Sequence, residues 1–211
     1  MLTVYLLVGI VKSMNNITTT YDKILDSART LIIAGGFNGF SYADIAEAVG
    51  IRKASIHHHF PSKVDLVRTL LSLYREQLKA GIAEIDRQIP DPLEKLRAYT
   101  GYWEKCILDA SAPICICALL ASELPALPEE LRVEIRAFFN SLSSWLRSVF
   151  DQGLQQHNIQ IRNEPAVEAE AFMATIHGAM LSARAYGDSK IFGVIVNPLL
   201  DRLSIRQSEN V

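Results

Sequence analysis

No segment of the 211-residue chain is long and apolar enough to cross a bilayer, which takes about twenty consecutive apolar residues. A basic excess is missing as well: 21 Lys and Arg stand against 23 Asp and Glu, for a formal charge of −2. Such a chain has no global field to gather nucleic acid, which argues against an architectural protein that coats duplexes without regard to sequence. Any DNA contact must come from a local patch. Cysteine is scarce. Three residues at irregular spacing do not read as a secreted disulfide framework and fit a reducing cytoplasm. The sequence also lacks a phosphate-cradling glycine loop, a nucleophile elbow, and any pair of acids or histidines at catalytic spacing. No enzyme is indicated and no cofactor is implied. Strand signals are nearly absent, and there is no internal repeat or low-complexity tract.

Apolar residues, by contrast, are plentiful. They make up 49% of the chain and the mean hydropathy is +0.15, which is high for a soluble monomer and suggests surface buried against a second copy. The opening "MLTVYLLVGIVKSMNN" carries an apolar run of about eleven residues, half of what a membrane span needs. It has neither the basic flank nor the cleavage site of a signal peptide. Residues 1–13 therefore read as an N-terminal arm, or as an extension ahead of a true start at Met14, and the second reading is favoured.

Helix punctuation runs through the rest, so an all-α fold is expected. Thr20 can cap a helix whose apolar positions Ile24, Leu25, Ala28, Leu31 and Ile32 recur at three and four, and "AGGFNGF" stops it. Ser41 with Asp44 three residues on forms a capping-box pattern for a second helix that breaks at Gly50. A short third helix spans roughly Arg52 to His58, closed by Pro61. Ser62 caps a long fourth helix, with Val64, Val67, Leu70, Leu71 and Tyr74 along one side. Beyond Asp91 the stripes Leu93–Leu96–Thr100–Trp103–Ile107 and Leu131–Ile135–Phe138–Leu142–Trp145–Val149 mark two more helices. "EPAVEAEAFMATIHGAMLSARAYG" is apolar on more than one face and must be covered on more than one face. In the last segment Pro198 interrupts the pattern and could mark a first turn.

The sharpest local feature is "GIRKASIHHHFPSK". His57, His58 and His59 are consecutive and so point about 100° apart around a helix. They cannot clamp one ion, and no cysteine or acid stands nearby at ligand spacing, so no metal site is expected. The spacing fits a helix–turn–helix instead, in which the helix after Gly50 enters the major groove. Ile51, Ile56 and Phe60 would face Ile45, Ala46 and Val49, leaving Arg52, Lys53, Ser55, His57 and His58 outward. Lys63, beside the amides of the next helix start, suits a backbone phosphate. His59 reads as buried or as bridging helices.

The run "DKILDSARTLIIAGGFNGFSYADIAEAVGIRKASIHHHFPSKVDLV" resembles the DNA-binding domain of TetR-family transcriptional repressors over residues about 20 to 67. The resemblance is carried by Ala28, Gly36, Phe40, Ser41, Ile45, Ala46, Gly50, Ile56, His57, His59, Phe60, Lys63 and Leu66. It adds Ser41, Tyr42 and Ala54 to the expected DNA-facing set. Arg52, Ala54 and His57 depart from the residues usual in the family, which bears on which operator is read. The resemblance implies a helix–turn–helix head over residues 14–65 and a ligand-binding and dimerisation domain over 66–211. It also implies a homodimer on a double-stranded, palindromic operator, released by a small hydrophobic or electrophilic effector.

Within the larger domain the last two long helices would pair with their mates through Ala174, His177, Gly178 and Leu181. Tyr99, Trp103, Phe138, Leu142, Trp145, Phe172 and Met173 are candidate walls for an apolar effector pocket. "PICICALLASELPALPEELR" resembles a segment of the family's electrophile-sensing subgroup, in which a cysteine lies eight residues before a helix glutamate, as Cys115 does before Glu123. The alternative is that Cys115 and Cys117 are small buried hydrophobes.

Overall fold

The structure, a computed structural model, describes residues 19–205; the expected extension over residues 1–13 lies outside them. Among the described residues the chain forms nine α-helices: α1 Thr20–Gly35, α2 Tyr42–Val49, α3 Lys53–His59, α4 Lys63–Gln88, α5 Pro92–Leu108, α6 Ile116–Ala121, α7 Glu129–Gln155, α8 Pro165–Tyr186 and α9 Lys190–Leu203. A 3-10 turn spans Leu124–Ala126, and Ile159 pairs with Ser204 in an isolated antiparallel bridge. The all-α expectation holds.

Internal contacts divide these residues into two units, 19–78 with 115–139 and 79–114 with 140–205. The grouping cuts across the sequence division at 65/66, because residues 66–78 and 115–139 associate with the helix–turn–helix. Helices α4 and α7 each run from one unit into the other.

In the first unit the starts of α1, α2 and α4 are each fixed by a side-chain cap. The N-cap of α1 is Thr19 rather than Thr20: one residue earlier, Asp22 occupies the third helical position and its carboxylate takes the Thr19 hydroxyl and N–H while Thr19 Oγ1 accepts the Asp22 N–H. Ile24, Leu25, Ala28 and Ile32 are buried along α1. Ser41 and Asp44 form the expected capping box at α2. Gly50 ends α2 at φ 73°, ψ 37°, with its own N–H and that of Ile51 returning to Ala46 O. The side chain of Ser62 accepts the Asp65 N–H at 3.1 Å and starts α4. Ile45, Ile56, Phe60, Leu66 and Val67 form the core of the head, each burial stabilising the fold by roughly 1.5–3 kcal/mol.

In the second unit Asp91 caps α5, with Pro92 as its first residue. The stripe from Leu93 to Ile107 is buried as its spacing implies, and so are Leu142, Trp145 and Val149 of α7. One charged side chain joins this core. Lys95, 4% exposed, bonds Asp86 Oδ1 at 2.8 Å and Gln152 Oε1 at 2.9 Å, and Trp145 Nε1 donates to Asp86 Oδ2 at 3.1 Å. Helices α8 and α9 pack on one another, and α9 also packs on α5. Pro198 lies inside α9, not in a first turn; it is exposed, and its fixed φ is compatible with the helix.

Candidate nucleic-acid interface

The head presents α3 as a short basic ridge. Arg52 is its N-cap in extended conformation, and Lys53, Ala54 and Ser55 follow in its first turn. Arg52, Lys53, Ala54, His57 and His58 are exposed, Ser55 is half-buried, and Ile56 faces the core with no exposed surface. One buried isoleucine between outward polar side chains orients the helix, since turning it would strip Ile56 from the core. His59 is also exposed, its ring 6.0 Å edge-on from Tyr21 of α1. It bridges helices and is not buried.

Two of the expected residues brace one another. The Tyr42 hydroxyl donates to Phe60 O at 2.9 Å, and its ring meets His57 at 4.8 Å and 65°. Burial, reinforced by the charge of Asp65, pushes the Tyr42 phenol up to about 12. His57 Nδ1 stands 3.3 Å from Pro61 O. A carbonyl only accepts, so that nitrogen carries the proton and Nε2 is the acceptor of the neutral ring. Ser41 has its hydroxyl engaged in the capping box, donating to Asp44 at 2.8 Å and accepting the Ala43 N–H at 3.1 Å. The bond to Ser41 holds the Asp44 carboxyl below its ordinary value.

Lys63, expected to suit a backbone phosphate, is half-buried and has partners inside the head. Its ammonium donates to Phe40 O and lies 4.8 Å and 4.0 Å from the ring centroids of Phe37 and Phe40. Burial lowers its pKa, with the charges of Asp44 and Glu123 opposing that shift. Part of its donor capacity is therefore spent inside the head, a fate that sequence spacing could not reveal because the acceptor is a loop carbonyl.

The remaining expected site residues fall into two sets. Tyr99, Trp103, Leu142, Trp145, Phe172 and Met173 are all buried in the second unit, where the Tyr99 and Trp145 rings meet at 5.6 Å. Trp103 Nε1 is buried and meets no hydrogen-bond acceptor among the described residues. Phe138 and Cys115 are buried in the first unit, Phe138 stacked on Tyr74 at 5.4 Å. Cys115 is the N-cap of α6 and has no exposed surface. Burial, with Cys115 beside it, pushes the Cys117 thiol far above its ordinary value. On α8, Ala174 and Leu181 are exposed and Gly178 half-exposed, while His177 turns inward.

Residues 24–70 match the family described as bacterial regulatory proteins, tetR family, and residues 92–197 match the tetracyclin repressor-like C-terminal domain. A solved TetR-family transcriptional regulator from Agrobacterium tumefaciens is 59% identical, covers 88% of this chain and 97% of its own, and superposes with a TM-score of 0.86. The HTH-type transcriptional repressor KstR2 of Mycolicibacterium smegmatis is 30% identical over 54% of this chain. The biofilm operon negative regulator IcaR of Staphylococcus aureus is 41% identical over 28% of it. The aligned region spans 56% of the first of these relatives and 27% of the second. Both family matches fall in their expected order on one chain, over the head and over the larger helical domain, and the chain belongs to the TetR family of bacterial regulatory proteins.

Proposed function

We propose that the chain is a homodimeric, ligand-responsive repressor that acts in the cytoplasm on a palindromic operator. The observation that carries this reading is the outward basic ridge of α3, locked by Ile56 from within and by Tyr42 and His57 at its side. Arg52 and Lys53 reach base edges and phosphates, with an arginine able to pair bidentately with guanine. His57 adds an acceptor or, when protonated, a donor. Ser41, Tyr42, Ala54, Ser55 and His58 flank them, and Lys63 orders the loop ahead of α2. The sign of regulation follows the two curated relatives, whose names describe repression.

Dimerisation is supported by apolar exposure on α8 and α9. Val167 is 54% exposed, Leu181 49% and Val194 66%, and the intervening Ala171, Ala174 and Gly178 are small enough to admit a partner helix closely. Two heads then sit about one DNA turn apart. The effector enters among the buried aromatics of the second unit. Trp103 supports a mostly apolar molecule with a hydrogen-bond acceptor, because its buried N–H costs roughly 1–3 kcal/mol while unmet. An electrophilic effector acting at Cys115 would need α6 to open first. Helix α4, which begins at the head and continues into the second unit, carries the coupling, typically ~1–3 kcal/mol.

The test is binding of the wild-type chain to the DNA flanking its own gene and to scrambled DNA at moderate salt. Selective binding is expected. Equal binding to both would favour an architectural role, and no binding would remove the reading.

A further inference from the structure

Glu123 touches the head from 86 residues away: its Oε2 accepts the Phe37 N–H at 3.0 Å. Phe37 follows the C-cap of α1, and an amide at this position commonly bonds back to its own helix. Here a carboxylate from a different part of the chain takes it. Gly36 makes the approach possible, since a Cβ there would stand 2.0 Å from Glu123 Oε1. The far end of the same loop is held by Lys63, which donates to Phe40 O and lies against the rings of Phe37 and Phe40. Lys63 feels the charges of both Glu123 and Asp44. Asp44 in turn closes the capping box on Ser41. Alternating charges thus run from Glu123 through Lys63 to the first turn of α2, where Ser41 and Tyr42 stand.

We propose that Glu123 is a positioning residue for operator binding: it fixes the Gly36–Phe40 loop, and through Lys63 and Asp44 the start of α2, without itself meeting DNA. The inference rests on the head being the DNA-binding element. The place of Glu123 is set by its neighbours, its N–H donating to Leu120 O at 3.0 Å and its carbonyl accepting the Ala126 N–H at 2.8 Å. It is anchored by α6 on one side and the 3-10 turn on the other. A rearrangement of α6 therefore reaches the head as the loss of one charged hydrogen bond. The bond is a long-range link that local sequence signals do not encode.

The experiment compares wild type, Glu123→Gln and Glu123→Ala on operator and scrambled DNA, with thermal unfolding of each. Glutamine keeps an acceptor oxygen for the Phe37 N–H and loses the charge beside Lys63. Operator affinity should fall in the order wild type, Glu123→Gln, Glu123→Ala, with the alanine variant about tenfold weaker and scrambled-DNA binding unchanged in both. The partial rescue by glutamine distinguishes positioning from bulk destabilisation. Wild-type operator affinity in a folded Glu123→Gln protein overturns the inference, as does an equal loss on both DNAs. Should Glu123→Ala fail to fold, Glu123→Gln alone decides. A wild-type chain that does not discriminate the two DNAs would instead overturn the proposed function, and this inference with it.

Discussion

Alanine at Gly36 and at Gly50 separates two costs that both positions conceal. Each glycine has positive φ, +74° and +73°, but they differ in ψ and in space. Gly50 is left-handed helical with nothing within 4 Å of an added Cβ. Alanine there bears only the left-handed strain, about 1 kcal/mol. Gly36 has ψ −173°, a region almost reserved for glycine, where strain is about 1–3 kcal/mol. An alanine there must also displace the Glu123 carboxylate from Phe37, a charged hydrogen bond worth about 1.5–3 kcal/mol. The sum is about 2.5–6 kcal/mol against about 1. For a chain of this size about 1 kcal/mol shifts the unfolding midpoint by roughly 2–4 °C. Gly50→Ala should therefore melt a few degrees below wild type, and Gly36→Ala some ten degrees below it. The assay is thermal unfolding by circular dichroism at neutral pH, repeated in a Glu123→Ala background. In that background Gly36→Ala should cost only its strain, so the two substitutions are non-additive. Equal losses at the two glycines, or a Gly36→Ala loss that ignores Glu123, would refute the reasoning.

Other perturbations probe the remaining contacts. The Ser41 bond lowers the Asp44 pKa, so this carboxylate stabilises the head above its ordinary value of 3.8 and the benefit is lost as pH falls through the lowered one. The stability gap between wild type and Asp44→Asn should thus be full near neutrality and close in acid, and a gap that widens in acid would contradict the capping box. Asp86→Ala removes the anion beside buried Lys95. Because the Asp86 side chain is 41% exposed, the loss should be about 1–3 kcal/mol rather than the full cost of a deeply buried pair, measured by urea unfolding; an unchanged midpoint would show the ammonium finds water. Glutamates at Leu181 and Val194 should turn a dimer into monomer in sedimentation without loss of helicity, and a persistent dimer would place the interface elsewhere.

The head was legible because its signals are local. Ser41 with Asp44, Gly50 at the turn, Pro61 and Ser62 are punctuation read within a few residues, and Ile56 between exposed Arg52 and His57 follows from helical period alone. The stripes of α5 and α7 were legible for the same reason. The small errors are also instructive. Thr19 displaced Thr20 as a cap because the reciprocal bond needs an acid at the third helical position, and only the earlier threonine has one. Pro198 sits inside α9, exposed and with a fixed φ that suits a helix, so the residue alone did not mark a boundary. What stayed hidden was long-range. Nothing near Glu123 announces that it meets Phe37, and nothing near Lys63 announces a turn toward Phe40 O. The same blindness hides the grouping of residues 115–139 with the head, since contacts across that sequence distance leave no local signal. The apolar residues from Tyr99 to Met173 read as core or pocket alike, since both demand the same side chains.

The most direct measurement is the affinity of Arg52→Ala for operator and for scrambled DNA, side by side with wild type at one salt concentration. A bidentate arginine contact is worth about 1–3 kcal/mol of base discrimination. The operator preference should therefore shrink by about tenfold or more while scrambled-DNA binding changes little. A variant that keeps the full preference would show that the exposed ridge of α3 does not read the operator.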